Sequence, residues 1–474
     1  MQNHQFKYSN ISLSEILHAG MRFEASVFNL EAKQARELIK NCGFPVVSLL
    51  DKILVKTASY PNRFKRNYVK KDVGLPFILP SQISEIDPKP SKWIYGLKSE
   101  DLDKLCARQW DLLLTRSGTI GQCSLANKSL DGKVMSDDLI RIVTQEKYRG
   151  YLYIFIKSKV GQLLLQTSNY GAVIQHIEPT HLAEIEVPVP SDEIVEKINT
   201  LVSAEFTLLD QSNDLIHKAQ ELLINTLNLS PIDQISPDNF QNKNNIVNFS
   251  KKITDENFRL DASFHNPLAS KIEATIISNG FKLKNLVDKE LTTRIILPGR
   301  FKRIYVDELY GVPFLGGKEI LDLDPRTEKN LSLEGHGARI KDQLTIKRNQ
   351  IMITCSGTIG KVNIAPKHWE GWTSSQHVIR VESVSDWMAG YLFAWLSTDY
   401  GFELIKRFTY GAVVDEIEDH HVGLVSVPLI DEDTMRIIGK LVLRANEKRS
   451  WAFRLQNKAK KILNDEVLVR KKPL

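Results

Sequence analysis

The pattern of apolar and polar positions along the chain occurs twice, half a chain apart. Each half opens with a segment of roughly 180 residues in which short apolar runs alternate with Gly and Pro. The segment ends in a short strand-like run, at residues 183–187 and again at 425–427. Pro188 and Pro190 then stop the first strand, and Pro428 follows the second run. The pattern predicts two domains of mixed α/β structure.

A long amphipathic helix follows each of these strands. Acidic residues open both helices, where they complement the helix dipole. Steps of four and three residues select a stripe that is apolar at seven of nine positions in each helix. A stripe with a mean step of about 3.5 residues is typical of a coiled coil, so we predict that the helices pair. The alternative is that each helix lies on its own domain. The predicted seam comprises Ile194, Ile198, Leu201, Leu208, Leu215, Leu222, Ile438, Leu441, Leu455 and Ile462.

Six blocks of sequence return in the same order, which indicates a duplicated domain rather than a short solenoid repeat. The offset between copies begins at 237, half of 474, and increases to 240. The paired blocks begin at residues 22 and 259, 63 and 300, 74 and 311, 117 and 356, 170 and 410, and 187 and 427. The expected boundaries are an α/β domain at 1–190, a helix at 191–229, a polar linker at 230–248, an α/β domain at 249–430 and a helix at 431–470.

The sequence carries no recognisable set of catalytic residues. Residues 357–362 come nearest to a phosphate-binding loop, but their spacing is wrong and no hydroxyl follows the Lys. Neither a GxGxxG fingerprint nor the Asn/Asp-Pro-Pro-aromatic loop of an amino-methyltransferase occurs. A carboxylate–lysine fragment at residues 87–89 returns at 324–326 with Arg in place of Lys, and Arg remains charged. We therefore predict a protein that is not an enzyme and has no cofactor or metal of its own.

Composition narrows the expected partners and cellular location of the protein. The net charge of +6 and the pI near 8.8 are compatible with a nucleic-acid partner. Four cysteines without a CxxC pair are interpreted as reduced thiols. No apolar run reaches the length of a membrane span, and the first residues lack the pattern of a signal peptide. The cytoplasm is therefore the expected location, with no membrane contact.

A basic cluster with an aromatic residue occurs at the same place in both copies. Lys and Arg bind phosphates, and Arg also forms paired hydrogen bonds with guanine. The duplication preserves the charges as well as the aromatic residues, which favours DNA binding over a solvated strand edge. The clusters are Arg63, Lys65, Arg66 and Tyr68, and Arg300, Lys302, Arg303 and Tyr305.

A Ser-Gly-Thr-Ile-Gly turn follows the basic cluster in each copy. Its glycines allow the backbone to approach a phosphate, and a plain tight turn is the alternative. The candidate contacts here are Ser117, Thr119, Ser356, Thr358 and Lys361.

Behind the turn, the second copy has a polar run suited to base edges, where the first copy has Lys-Val-Met-Ser-Asp-Asp at residues 133–138. Two heads that read different half-sites are expected to differ in this way. The candidate contacts are Thr373, Ser374, Ser375, Gln376 and His377.

Taken in order, these features resemble the specificity (S) subunits of type I restriction–modification enzymes. The resemblance depends on the doubled plan, on the Gly-Thr-Ile-Gly turn followed by Ser-x-x-x-Ile-Arg, and on Tyr-Gly-Ala-Val before a Val-Pro step into a long helix. It covers nearly the whole chain, and the order and duplication carry it rather than any single motif. The first copy departs from the family at Asp137 and Asp138, where a Gln/His-like pair is usual.

The resemblance implies two α/β target recognition domains, related by a pseudo-two-fold axis and separated by an antiparallel coiled coil. Each domain would read one part of a bipartite, asymmetric site in double-stranded DNA. The implied partners are two methyltransferase subunits, which carry S-adenosylmethionine, and motor–nuclease subunits. One alternative is a partner that fuses nuclease and methylase in a single polypeptide. An autonomous DNA-modifying enzyme and a coiled-coil scaffold are alternatives of other classes.

Overall fold

The chain forms two compact units, Met1–Asp210 with Ala452–Leu474, and Gln211–Trp451. A computed structural model describes residues 10–18, 21, 28–71, 73–167, 176–235, 250, 259–325, 329–411 and 413–469. The repeated blocks at 22–26 and 170–173 and most of the predicted linker lie outside the described residues. Both units contain helices and sheets, so the predicted mixed α/β class is confirmed.

The helices and strands follow the same order in the two halves of the chain. The α-helices are α1 (Leu13–His18), α2 (Leu30–Lys40), α3 (Ser99–Leu105), α4 (Arg149–Lys157), α5 (Lys159–Thr167), α6 (Pro179–Leu182), α7 (Asp192–Thr226), α8 (Ile232–Ile235), α9 (Pro267–Ser278), α10 (Leu333–Arg339), α11 (Asp386–Leu396), α12 (Asp399–Lys406), α13 (Asp419–Gly423) and α14 (Glu432–Ile462). The strands are β1 (Val46–Ser48), β2 (Val55–Ser59), β3 (Asn67–Val69), β4 (Leu75–Ile78), β5 (Lys92–Tyr95), β6 (Leu112–Thr115), β7 (Cys123–Leu125), β8 (Val134–Met135), β9 (Leu139–Thr144), β10 (Glu186–Pro188), β11 (Lys282–Asn285), β12 (Thr292–Ile296), β13 (Tyr305–Val306), β14 (Gly311–Leu315), β15 (Asn330–Ser332), β16 (Ile351–Thr354), β17 (Val362–Ile364), β18 (Thr373–Ser374), β19 (Val378–Ser383) and β20 (Ser426–Leu429).

Matching sheets form in the two units from the described strands. The first unit has strand orders β1-β10, β2-β9-β6-β7 and β3-β5-β4-β8. The second has β11-β20, β12-β19-β16-β17 and β13-β15-β14-β18. In both, the last strand of the third sheet joins in parallel, with Phe77 opposite Val134 and Phe314 opposite Thr373. The duplicated sequence therefore folds into the same topology twice.

Buried strands and helices form an equivalent core in each unit. Every residue of β6 and of β16 is buried, which explains their uninterrupted apolar sequences. The hydroxyl of Tyr151 on α4 donates to the carbonyl oxygen of Pro188 at 2.6 Å, and Tyr391 on α11 donates to Pro428 at 2.6 Å. β10 ends at Pro188, whereas β20 continues through Pro428 to Leu429. The Val-Pro step thus supplies the acceptor for a buried tyrosine in each unit.

In each core, one glycine allows a tight turn between two helices. A Cβ on Gly161 of α5 would lie 2.1 Å from the carbonyl oxygen of Phe155, and a Cβ on Gly401 of α12 would lie 2.4 Å from that of Trp395. The hydroxyls of Ser158 and Thr398 cap these helices, each at 3.1 Å from the glycine nitrogen. No larger residue fits at either glycine without displacing the backbone.

The long helices α7 and α14 pair as an antiparallel coiled coil. In the first unit, Lys197 contacts Glu466 at 3.9 Å, and Gln456 donates to Glu205 at 2.5 Å. From Lys197 to Glu205 the chain advances along α7, whereas the partner residues go back from Glu466, just beyond α14, to Gln456 on α14. The two helices therefore run in opposite directions. In the second unit, Lys448 donates to Gln211 and Arg449 to Ser212, at 2.7 and 3.0 Å. The paired arrangement is therefore confirmed over a helix lying only on its own domain.

The buried stripe of each helix differs from the predicted seam by one residue at every second position. Of the predicted residues, Ile194, Ile198 and Ile438 are buried, whereas Leu201, Leu208, Leu215, Leu222, Leu441, Leu455 and Ile462 are half-buried. The fully buried positions lie one residue later, at Val202, Leu209, Ile216, Leu223, Val442, Arg449, Gln456 and Leu463. On α7 both rows are apolar, so the sequence did not distinguish them. On α14 the buried row includes Arg449 and Gln456, which an apolar criterion rejects.

Several other single residues have simple structural roles. His181 and His421 cap α6 and α13, each accepting at Nδ1 from the N-cap backbone N–H at 3.2 Å. All four cysteines are free thiols, as expected. Across the described part of the chain, no helix is long and apolar enough to span a bilayer.

Candidate nucleic-acid interface

The basic cluster of each unit is mounted on an aromatic frame in the third sheet. Phe64 meets Phe77 edge-on at 6.3 Å between ring centroids, and Phe301 meets Phe314 in the same way at 6.4 Å. Tyr68 and Tyr305 contact the same central rings at 6.2 and 6.1 Å. Arg66 and Arg303 lie over these rings at 5.7 and 5.3 Å, within cation–π distance. The two clusters are therefore built alike.

Charged and aromatic side chains of these clusters are accessible. Arg63, Lys65, Arg300 and Lys302 are exposed. Tyr68 is 46% exposed and Tyr305 is 39% exposed. Exposed cations beside exposed aromatic rings provide the two kinds of contact that nucleic acids accept, with phosphates and with bases.

In the first unit, two carboxylates hold the arginine of the cluster. Arg66 forms an ion pair with Asp137 and lies 3.5 Å from the Asp138 carboxylate. It also donates to Ser136 at 3.4 Å. The Ser117 hydroxyl donates to Asp138 Oδ1 at 2.7 Å. The predicted turn and the basic cluster therefore meet at Asp138, which the predicted contact set did not include.

In the second unit, a neutral side chain replaces these carboxylates. Arg303 donates to Gln376 Oε1 at 2.7 Å, and the Gln376 amide lies 3.2 Å from His377 Nε2. Arg300 forms an ion pair with Glu416 at 3.0 Å. Burial and the charges of Arg303 and Arg300 lower the pKa of His377, which favours its neutral form. Glu416 was missed in the sequence, because only folding brings it to residue 300.

Three residues of the predicted polar run require correction. Thr373, Ser374 and Ser375 are buried. The Thr373 hydroxyl donates to the carbonyl oxygen of Pro313 at 2.8 Å, and Ser375 donates its backbone N–H to Leu315. Because β18 joins the sheet beside β14, these side chains face the interior and do not reach a base edge. Gln376 and His377 remain as candidates.

The Ser-Gly-Thr-Ile-Gly segments are tight turns that leave one hydroxyl exposed. Their four glycines have φ between +74° and +83°, a conformation that only glycine adopts readily. Thr119 and Thr358 are exposed, whereas Ser117, Ser356 and Lys361 are half-buried. The backbone N–H of Lys361 donates to Thr354 Oγ1 at 2.9 Å, which fixes the turn. The two threonines are therefore the accessible candidates in these turns.

The fold and the cluster define a class of protein: a duplicated α/β chain with an antiparallel helix pair and a basic, aromatic face in each unit. No protein-family model matches the chain, and none of the curated proteins matches it. Solved structures to which it is similar over about nine-tenths of its length include type I restriction–modification S subunits.

Three such structures illustrate the likeness. The S subunit from M. genitalium has 13% identity and a TM-score of 0.33, over 91% of this chain and 97% of that one. The HsdS subunit from Thermoanaerobacter tengcongensis has 14% identity and a TM-score of 0.28, over 90% and 97%. A chain from the type I R-M system, described in terms of complex assembly and conformational transition, has 14% identity and a TM-score of 0.27, over 90% and 98%. At these values the likeness decides nothing about function, which depends on the residues of this chain.

Proposed function

We propose that the chain is the DNA-specificity subunit of a restriction–modification complex. Each unit reads one half of a bipartite, asymmetric DNA site, and the chain docks two methyltransferase subunits and, in the full complex, motor–nuclease subunits. The chain itself is non-catalytic, and S-adenosylmethionine belongs to the methyltransferase partners. The corresponding domain boundaries are those expected from the sequence, with recognition domains at 1–190 and 249–430.

The observation that carries this proposal is one frame that presents different polar side chains in its two copies. The aromatic distances agree within 0.1 Å between the units, from Phe64–Phe77 to Phe301–Phe314. The arginine above each frame is held by carboxylates in one unit and by an amide in the other. A duplication that served only assembly has no need of different hydrogen-bonding groups there, whereas two half-sites of different sequence require them.

The exposed cations supply the binding that does not depend on sequence. Arg63, Lys65, Arg300 and Lys302 are exposed and lie within three residues in sequence of the arginine that contacts the polar groups of their unit. Phosphate contacts from such residues fix the position of a protein on DNA, and base contacts then specify the site. The cluster of each unit combines both kinds of group.

The test is to co-express the chain with a methyltransferase encoded beside its gene and to map modified bases in the host DNA. We expect methylation at a bipartite, asymmetric site, and none when this chain is omitted. Methylation at one short, continuous motif would contradict the proposal that each unit reads one half-site.

The mass of the co-purifying partner distinguishes separate subunits from a fused nuclease–methylase. Methylation by the isolated chain would instead show an autonomous enzyme, and the absence of salt-dependent DNA binding would favour a scaffold that does not touch DNA.

A further inference from the structure

The two units place a negatively charged pair and an uncharged polar pair at the same point of one fold. Asp137 and Asp138 follow β8 in the first unit, and Gln376 and His377 follow β18 in the second. Both strands join the third sheet in parallel, at its β4 or β14 edge. The equivalent pairs therefore occupy equivalent positions, next to Arg66 or Arg303.

In the first unit, one arginine faces two carboxylates. The side chain of Asp137 is 6% exposed, and its ion pair with Arg66 compensates its charge. The side chain of Asp138 is 31% exposed and lies 3.5 Å from the same guanidinium. Its other oxygen accepts from Ser117 at 2.7 Å, which fixes the orientation of the carboxylate. The group of three side chains has a formal net charge of −1, and Asp138 is the more accessible of its two carboxylates.

A carboxylate at a DNA-binding face is repelled by phosphates. An ionised aspartate has only acceptors, so the DNA group that it binds must be a donor. In the major groove the donors are the exocyclic amino groups, N4 of cytosine and N6 of adenine. Since Asp138 is oriented by Ser117 and lies 3.5 Å from Arg66 of the basic cluster, a base edge is the partner that its chemistry fits.

The second unit presents hydrogen-bond donors at the equivalent point. The Arg303 guanidinium is held by the neutral amide of Gln376 at 2.7 Å, so its charge is not cancelled by that contact. Arg and Gln donate to the N7 and O6 of guanine or pair with the N6 and N7 of adenine. This unit therefore suits a purine edge that offers acceptors.

We propose that Asp138 determines specificity in the first unit by accepting a hydrogen bond from the exocyclic amino group of a base in one half-site, whereas Arg303 and Gln376 in the second unit select a purine edge with acceptors. The proposal rests on the function proposed above and names the base chemistry that each head recognises.

The test measures binding of the assembled complex to duplexes that carry its mapped site. Each amino-bearing base of the first half-site is replaced in turn by the analogue without the amino group, 2-pyrimidinone for cytosine or purine for adenine. At one position we expect the wild-type complex to lose affinity between about 5- and 150-fold, the range of a good base contact. The analogue that produces the loss identifies the base. In the Asp138→Ala complex the same replacement is expected to cost less than about threefold, because the acceptor is absent.

Two further variants keep the experiment decisive. Asp138→Asn preserves size and the bond from Ser117, and its added donor is expected to admit a keto base at the same position. Asp103→Ala, which removes a carboxylate whose side chain is 81% exposed and pairs with Arg108, is the matched control and should leave base preference unchanged. If Asp138→Ala keeps the wild-type dependence on the amino group, or weakens binding equally at all positions, the inference is overturned while the proposed function stands. If the wild-type complex directs no site-specific methylation, the proposed function fails, and the inference fails with it.

Discussion

The two units hold equivalent arginines in opposite ways. Arg66 and Arg303 lie over equivalent phenylalanine rings, at 5.7 and 5.3 Å. Arg66 is paired with the buried carboxylate of Asp137, whereas Arg303 is held by the amide of Gln376. Duplication has thus kept the geometry of the frame and changed the charge of the group that faces it. A frame set by aromatic packing tolerates such an exchange because the arginine remains in position in either case.

The largest effect that the contrast predicts is on stability. Arg66→Gln leaves the Asp137 carboxylate buried without its cation, and we expect a loss of about 3 kcal/mol in the free energy of unfolding. Arg303→Gln removes a charged donor from a neutral amide, and we expect a loss of about 1 kcal/mol. Chemical denaturation of the purified variants measures both values.

The double variant Arg66→Gln/Asp137→Asn is the control for that prediction. It removes both charges, so most of the lost stability is expected to return. Equal losses for the two single variants would mean that the carboxylate is not what distinguishes the units.

The different contacts of Arg66 and Arg303 could not be predicted from the sequence. The duplication, the mixed α/β class and the helix pair all follow from patterns of spacing, because backbone geometry imposes those patterns. The contact between Arg66 and Asp137 joins residues 71 positions apart and depends on the pairing of β4 with β8. No local pattern of residues encodes that pairing.

Burial was misjudged at polar side chains that the fold places in the interior. Thr373 and Ser374 read as a surface run because hydroxyls usually face water. They are buried because a two-residue strand joins the sheet at that point and Thr373 donates to a carbonyl. The helix seam was misplaced for a related reason, since Gln456 and Arg449 are buried among hydrogen-bonding partners.

A second prediction tests whether the polar pair of the second unit reads bases. The variant Gln376→Ala/His377→Ala is expected to lose about 2 kcal/mol of discrimination, roughly thirtyfold, at one or two base positions of one half-site. The other half-site should be read as before, because Asp138 and Arg66 are unchanged. Base-by-base methylation preference of the assembled complex measures this. Relaxation spread evenly over both half-sites would assign the pair to assembly instead.

A third prediction concerns the cations, where we expect the units to behave alike. Arg300→Ala/Lys302→Ala should weaken DNA binding roughly tenfold and lower the log–log salt slope by about two, one for each phosphate contact. Arg63→Ala/Lys65→Ala should do the same from the first unit. Lys271→Ala/Lys282→Ala removes two exposed lysines outside the cluster and serves as the control. Unchanged affinity and slope in a folded variant would make the cluster a structural edge.

The contacts between α7 and α14 also differ in charge between the two units. In the first unit, Glu205 is fully buried and accepts from Gln456 and Tyr153. In the second, Arg449 is buried and donates to Ser212 and Asn363. Burial raises the pKa of Glu205 from 4.5 to about 7, against the nearby charge of Lys157 and the hydrogen bond from Gln456.

The smallest predicted effect follows from this buried acid. Between pH 4.5 and about 7, the unfolded chain ionises Glu205 while the folded chain keeps it protonated, so stability falls as the pH rises through that window. Glu205→Gln cannot ionise and should be more stable than the wild type by about 1 kcal/mol at about pH 8, with little difference at about pH 4. Thermal or chemical unfolding across this range measures the change. Glu193→Gln alters an exposed carboxylate of the same helix, paired with Lys197 at 2.9 Å, and should show no such gain. A Glu205→Gln difference that does not vary with pH would mean that this carboxyl is already ionised in the folded interface.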